Sequence, residues 1–133
     1  MSAMSEYEIR ELCDEFFDAY QDGRVDVLRR LMRDDCIVWH NVFGRETTRD
    51  ENLEAIEQGR GMHRRRLYND RNINTFDDGF VVQYTTHVVA HDGTEVPLSA
   101  CLVAEVRDGL ITKLFEYLDT TQFVSRARTR RAR

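Results

Sequence analysis

The stretch Phe80-Val-Val-Gln-Tyr-Thr-Thr-His-Val-Val-Ala-His-Asp-Gly-Thr-Glu-Val-Pro-Leu-Ser-Ala-Cys-Leu-Val-Ala-Glu-Val-Arg-Asp-Gly-Leu-Ile-Thr-Lys-Leu-Phe-Glu-Tyr-Leu118 decides the fold. Asp92-Gly93 and Asp108-Gly109 divide it into three runs, Phe80 to His91, Thr94 to Arg107 and Leu110 to Leu118, each rich in β-branched and aromatic residues. An Asp-Gly pair between two such runs is a strong hairpin signal, because both residues tolerate the positive φ that tight turns demand. Just upstream, Asp77-Asp-Gly79 separates a further run, Leu67 to Phe76. Four strands joined by tight turns are expected.

The N-terminal half follows a different period. Ser5 and Glu8 form a capping box, and Ile9, Leu12, Cys13, Phe16, Phe17 and Tyr20 recur behind it at helical spacing, up to Asp22-Gly23. Val25, Leu28, Leu31 and Met32 predict a second, shorter helix ending before Asp34-Asp35. A short strand from Cys36 to Val42 comes next. Thr48 and Glu51 then cap a third helix carrying Leu53, Ile56 and Met62 and weakened by Gly59 and Gly61. Helices followed by a run of strands give an α+β domain, with helices covering one face of a curved antiparallel sheet. Residues 1–124 form that single domain. The tail, Ser125 to Arg133, alternates arginine with small residues and is expected to be disordered.

With 133 residues, 41% of them hydrophobic, the chain suits one core that buries about two-thirds of the unfolded surface. A net charge of -5 argues against general nucleic-acid binding, which relies on clustered Lys and Arg. Cys13, Cys36 and Cys101 are odd in number and widely spaced, which suggests neither a disulfide framework nor a CxxC metal site and fits a reducing cytoplasm. No apolar run approaches the roughly 18 residues of a membrane span, and Met-Ser-Ala-Met-Ser-Glu does not read as a secretory signal.

In the segment Cys36-Ile-Val-Trp-His-Asn-Val-Phe-Gly44 a histidine interrupts an otherwise apolar strand. Alternation puts Val38, His40 and Val42 on one side and Ile37, Trp39, Asn41 and Phe43 on the other. Trp39 and His40 therefore cannot share a cavity, and an outward Trp39 would need a partner subunit or a helix to cover it.

Gly23-Arg-Val-Asp-Val-Leu-Arg-Arg-Leu-Met-Arg-Asp-Asp35 running into Val38-Trp-His-Asn-Val-Phe-Gly44, and Val106-Arg-Asp-Gly-Leu-Ile111 running into Glu116-Tyr-Leu-Asp119, resemble the nuclear-transport-factor-2-like superfamily, particularly its SnoaL-like and ketosteroid-isomerase-like members. The resemblance covers nearly all of the chain except the arginine tail. It implies a cone-shaped curved antiparallel sheet with three helices on its concave face, a cystatin-like α+β barrel. It also places His40 where the isomerase branch has its catalytic aspartate. Phe16 falls where that branch has an oxyanion tyrosine, and Leu102 or its neighbour where it has a protonated aspartate. Without those donors an enolate would be poorly held, so steroid isomerisation by that mechanism is not expected.

Histidine can still act as a general base near neutrality if a partner orients it. Leu114, Glu116 and Leu118 alternate onto one face, which the resemblance places in the pocket, and a carboxylate among leucines should not stay unpaired. A His40–Glu116 contact would satisfy both groups, either as a functional dyad or as a plain polar pair. His87 and His91 lie about 13 Å apart on a strand, too far for one metal ion. If Asp92-Gly93 closes the hairpin, His87 shares a face with Gln83, Thr85 and Val89 opposite Leu98, Ala100 and Leu102, whereas one bulge would put Tyr84 and Thr86 there instead. Two pocket histidines with a tyrosine also resemble, more distantly, the scytalone-dehydratase-like branch. Asp119 could reach the rim of the cavity. Arg64, Arg65 and Arg66 read as surface residues at a helix end.

Two functions follow. One is an isomerase, cyclase or dehydratase without cofactor or metal, with catalytic His40, Glu116 and His87. Tyr84, Phe16, Leu102, Leu114, Leu118 and Asp119 would then meet a small hydrophobic or weakly polar organic ligand. The other is a non-catalytic ligand-binding or protein-interaction module of the same fold. Both are expected to form a homodimer through the outer sheet face.

Overall fold

A computed structural model describes residues 4–59 and 65–121. The expected tail, Gly61, Met62 and Arg64 lie outside those residues. Helix α1 spans Glu6–Asp22, helix α2 Val25–Leu31 and helix α3 Arg49–Gln58. The strands are β1 (Met32–His40), β2 (Arg45–Thr48), β3 (Arg65–Phe76), β4 (Gly79–Val89), β5 (Glu95–Arg107) and β6 (Leu110–Leu118).

Both capping boxes form. Ser5 Oγ accepts from the Glu8 N–H while Glu8 reaches back to the Ser5 N–H, and Thr48 and Glu51 repeat the arrangement at α3. Each such cap is worth roughly 1 kcal/mol. Helix α1 stops at Gly23, which adopts the left-handed conformation at φ 65°.

The six strands form one sheet in the order β2-β1-β6-β5-β4-β3. Three helices pack against its concave face, giving the cone-shaped α+β architecture. The sheet is antiparallel throughout except one strand in from the β2 edge, where β1 runs parallel to β6. That pair joins the N-terminal half to the meander β3 to β6, and it fixes who meets whom: His40 stands beside Glu116, and Trp39 beside Phe115. Strand β2 has no counterpart in the sequence reading, since Arg-Glu-Thr-Thr is short and polar and carries no alternation.

The core lies between α1, α2 and the concave face. Helix α1 contributes Ile9, Leu12, Cys13, Phe16 and Phe17; the sheet contributes Val38, Phe80, Val82, Leu102, Ala104 and Leu114. Burying a Phe or Leu side chain contributes about 1.5–3 kcal/mol. At the Asn69–Asn72 irregularity of β3, Asp70 takes φ 57°. The neighbouring Arg71 turns onto α1, with Nη1 3.0 Å from Asp18 Oδ1 and the guanidinium 5.3 Å from the Phe17 ring centre. A bulge bends its strand, and this one is tied down to a helix.

Turn chemistry decides the register of β4. Asp108-Gly109 is a two-residue turn with φ of 53° and 81°, joining Arg107 to Leu110. The β4–β5 connection is one residue longer. Ala90 N–H donates to Thr94 O (2.8 Å) and Gly93 N–H to Ala90 O (2.9 Å), so His91-Asp92-Gly93 is the loop, with Gly93 at φ 89°. The extra residue slides the pairing to Val82↔Leu102, Tyr84↔Ala100 and Thr86↔Leu98. A slip of one residue changes every face. Tyr84 and Thr86 therefore look into the core, and the expectation that His87 shares the Leu102 face is corrected: it lies on the outer face, opposite Pro97.

Candidate active site

Strand β1 ends at His40, two residues earlier than expected, because Asn41–Gly44 turns away with the Phe43 and Gly44 N–H groups donating to His40 O. Asn41 then clamps the end of β6: its Nδ2 donates to Leu118 O at 3.1 Å and its Oδ1 accepts from Leu118 N at 2.9 Å. Phe43 folds back so that its ring meets the His40 ring edge-on at 5.7 Å. These contacts hold the imidazole at the end of its strand.

On the concave side His40 Nδ1 is 3.2 Å from Glu116 Oε1, and the two side chains are only 14% and 15% exposed. The other carboxylate oxygen, Oε2, accepts from the Tyr84 hydroxyl at 2.9 Å. His40 Nε2 faces Asn52 Oδ1 on α3 at 3.4 Å. Burial by itself pushes the His40 pKa down, but the hydrogen bond and charge of Glu116 outweigh it, and the net shift is upward from 6.5. For Glu116 burial pushes up, His40 and Tyr84 pull harder the other way, and the net shift is downward from 4.5. The pair therefore favours imidazolium facing carboxylate.

Aromatic rings form the floor. Tyr84 packs on Phe17 at 4.9 Å and on Tyr68 at 5.7 Å, and Tyr20 packs on Phe16 and Tyr68. Burial keeps all three phenols protonated: Tyr68 is pushed up to about 12, and Tyr20 and Tyr84 further. Arg66, two residues before Tyr68 on β3, lends its positive charge to Tyr68, Tyr20 and Glu116. It thus stands in a strand beside the site, not at a helix end.

The other anticipated residues are placed as follows. Phe16, Leu102 and Leu114 are at most 2% exposed and belong to the closed core, so they pave the floor without an accessible surface. Leu118 is half-buried, in register with Ala100 beside Tyr84. Asp119 does not join His40; its Oδ1 accepts from Thr121 N at 2.9 Å. His87 Nδ1 lies 2.6 Å from Glu95 Oε1 on the outer face. An open depression of about 750 Å³ also lies on that side, lined by Gln83, Thr85, Ser99, Cys101, Tyr117 and Asp119 among others.

Asn52, Tyr20, Tyr68 and Arg66 escaped the sequence reading as site residues. Asn52 carries the one available signal, a polar side chain beside Leu53 at the start of a helix, and it is 94% buried by its 6% exposure. Among the described residues no cluster of three or more His, Cys, Asp or Glu could hold a metal. Burial pushes the Cys13 and Cys36 thiols up to about 12, which removes them as nucleophiles at neutral pH. Also among the described residues, no helix is long and apolar enough to cross a membrane.

A buried His–Glu–Tyr chain beneath three helices on a cone-shaped sheet invites comparison with known families. The SnoaL-like domain profile matches residues 13–114. This chain belongs to the SnoaL-like family. That family sits in the nuclear-transport-factor-2-like superfamily. In three dimensions this SnoaL-like protein is similar to a candidate SnoaL-like polyketide cyclase from Shewanella putrefaciens CN-32, with a TM-score of 0.81, 12% identity, and 94% of this chain and 88% of that one covered. A candidate polyketide cyclase from Xanthomonas campestris pv. campestris gives 0.79 at 19% identity, covering 90% and 96%. An M. tuberculosis LEH-like epoxide hydrolase gives 0.73 at 20% identity, covering 90% and 88%. Such identities establish a shared fold. No curated protein matches the chain in sequence.

Proposed function

We propose that this SnoaL-like protein is an isomerase-, cyclase- or dehydratase-type enzyme that moves a proton on a small hydrophobic organic molecule, with His40 as the exchanging group. The observation that carries the reading is the 3.2 Å approach of His40 Nδ1 to Glu116 in a largely dry position. With Nδ1–H donated to the carboxylate, Nε2 is the nitrogen left to take or release a proton. Glu116 orients the ring and favours its charged form, and the Tyr84 hydroxyl holds the carboxylate in turn. Proton transfer of this kind asks for no cofactor. The candidate cyclases and the epoxide hydrolase of the same fold support the reaction class.

The test is His40→Asn, assayed on a panel of small ketones, hydroxyketones and epoxides. Turnover should fall by about 10² or more. Unchanged turnover would sink the proposal.

The depression on the outer face favours a second reading, a module that holds its ligand there and does no chemistry. In that case His40→Asn leaves binding intact while Gln83→Ala or Ser99→Leu weakens it. We also assign the outer face to a second copy of the chain. Trp39 and Tyr117 meet there at 5.2 Å with their rings tilted by 52°, while Tyr117 stays 45% exposed, an aromatic patch suited to a self-complementary contact. Tyr117→Glu should convert a dimer to a monomer in sedimentation analysis.

A further inference from the structure

Neighbouring rows of the outer sheet face carry unlike side chains. Val81, Val103, Phe115 and Trp39 stand side by side across β4, β5, β6 and β1, so that row is bulky and apolar. Two residues along, Gln83, Cys101 and Tyr117 form the next row, and Thr85 and Ser99 the one after. Asp119 extends this last row past the end of β6, its N–H donating to Ser99 O at 2.9 Å. Small side chains keep the floor low here, and Tyr117 and the residues after β6 border it. The depression of about 750 Å³ lies over these polar rows, and its size suits a small organic molecule.

The lining has a definite chemistry. None of the described lining residues is a lysine or arginine, whereas Asp70 and Asp119 are both among them. Thr121 hydrogen bonds hold the Asp119 carboxyl below its ordinary range, so it is charged at neutral pH. Tyr117 adds an aromatic ring that is 45% exposed, a surface that attracts cations. The net charge of -5 also favours the approach of a cation. Between the carboxylates lie groups that ask for oxygen atoms. Gln83 Oε1 already accepts from Asn72 Nδ2 at 3.0 Å, which leaves the Gln83 amide nitrogen to donate, and the Thr85 and Ser99 hydroxyls can donate or accept.

We infer that the outer depression binds a hydroxylated organic cation, of which an amino sugar is the simplest kind. Asp70 and Asp119 meet the ammonium group, Gln83, Thr85 and Ser99 meet the hydroxyls, and Tyr117 covers one side. Charge complementarity carries the choice over a neutral or anionic ligand of the same size. The inference deepens the second reading above, a ligand held on the outer face, and is independent of proton transfer at His40.

The experiment titrates glucosamine, N-acetylglucosamine and glucose into the full chain at about pH 6, where an amine is protonated. Nuclear magnetic resonance follows the Gln83 side-chain amide and the Ser99 and Cys101 backbone amides. Glucosamine should move these signals and bind about 5-fold more tightly than either neutral sugar, with the difference shrinking at about 0.5 M salt. Asp70→Asn combined with Asp119→Asn should bring glucosamine down to the level of glucose. Both substitutions keep the local backbone: asparagine tolerates the positive φ of Asp70, and its side-chain oxygen can still accept from Thr121. His40→Asn should leave the binding unchanged, so this site and the concave one can fail separately. Equal binding of the three sugars, signals that stay still, or a preference for glucosamine that survives the double substitution would overturn the inference. Loss of glucosamine binding in His40→Asn would do the same, by moving the ligand to the concave side.

Discussion

His40–Glu116 and His87–Glu95 are built from the same two residue types on the same sheet. The outer pair is the shorter, 2.6 Å against 3.2 Å, yet its glutamate is 52% exposed, whereas both members of the inner pair are near 15%. The inner glutamate has a second partner in Tyr84, and the inner histidine a second neighbour in Asn52. Separation is thus a poor guide to what a His–Glu contact does. Water reaches and competes for the Glu95 carboxylate, while the inner pair must satisfy its own polar atoms or go without.

The sharpest way to break this contrast is to remove one glutamate at a time. Glu116→Ala leaves His40 in a buried position without its counter-charge and should cost about 3–5 kcal/mol in urea unfolding. Glu95→Ala should stay within about 0.5 kcal/mol. Equal losses would mean that burial does not distinguish the pairs. Tyr84→Phe tests the chain one link further out: losing a hydrogen bond to a charged oxygen should cost about 1.5–3 kcal/mol and raise the pKa of Glu116.

A smaller effect lies in the pH dependence. His40 is raised above 6.5, so its stabilising contribution is complete below that value and disappears as pH climbs through the folded pKa. Glu116 is lowered below 4.5, so its contribution is complete above that value and disappears as pH falls through the folded pKa. The part of the stability that depends on the pair should therefore be full between about 4.5 and 6.5 and decline on both sides. Thermal melts of the native chain against Glu116→Gln across that range measure it, and parallel curves would refute it. Smallest of all, Thr86→Val should be neutral or slightly stabilising, because the hydroxyl it removes has no partner. A marked loss would show that Thr86 is satisfied by something bound.

Much of the architecture could be read locally. Ser5 with Glu8 and Thr48 with Glu51 mark helix starts through contacts three residues apart, and Asp108-Gly109 marks a turn through its own backbone preferences. Strand β6 runs from Leu110 to Leu118 as its composition indicates. Alternation likewise separates His40 from Trp39 and puts Leu114, Glu116 and Leu118 on one face. The site was harder to read because its members come from α3, β1, β4 and β6, and no spacing rule links Asn52 or Tyr84 to His40. Asn52 carries no pattern that marks it for burial, and Arg66, exposed as a surface cation should be, stands on β3 instead of at a helix end.

What the sequence determined alone is whatever depends on neighbours within a turn or a strand: where elements begin, which way alternate side chains point, and that helices precede a meander. Two things waited for the tertiary structure. One is the parallel β1–β6 register that brings His40 to Glu116; the other is the third residue in the His91-Asp92-Gly93 loop that sends His87 outward and Tyr84 inward. Both concern how one strand is offset against another. Such offsets are set by the summed fit of the whole buried face together with the geometry of the connecting turn, and a shift of a single residue inverts the outcome.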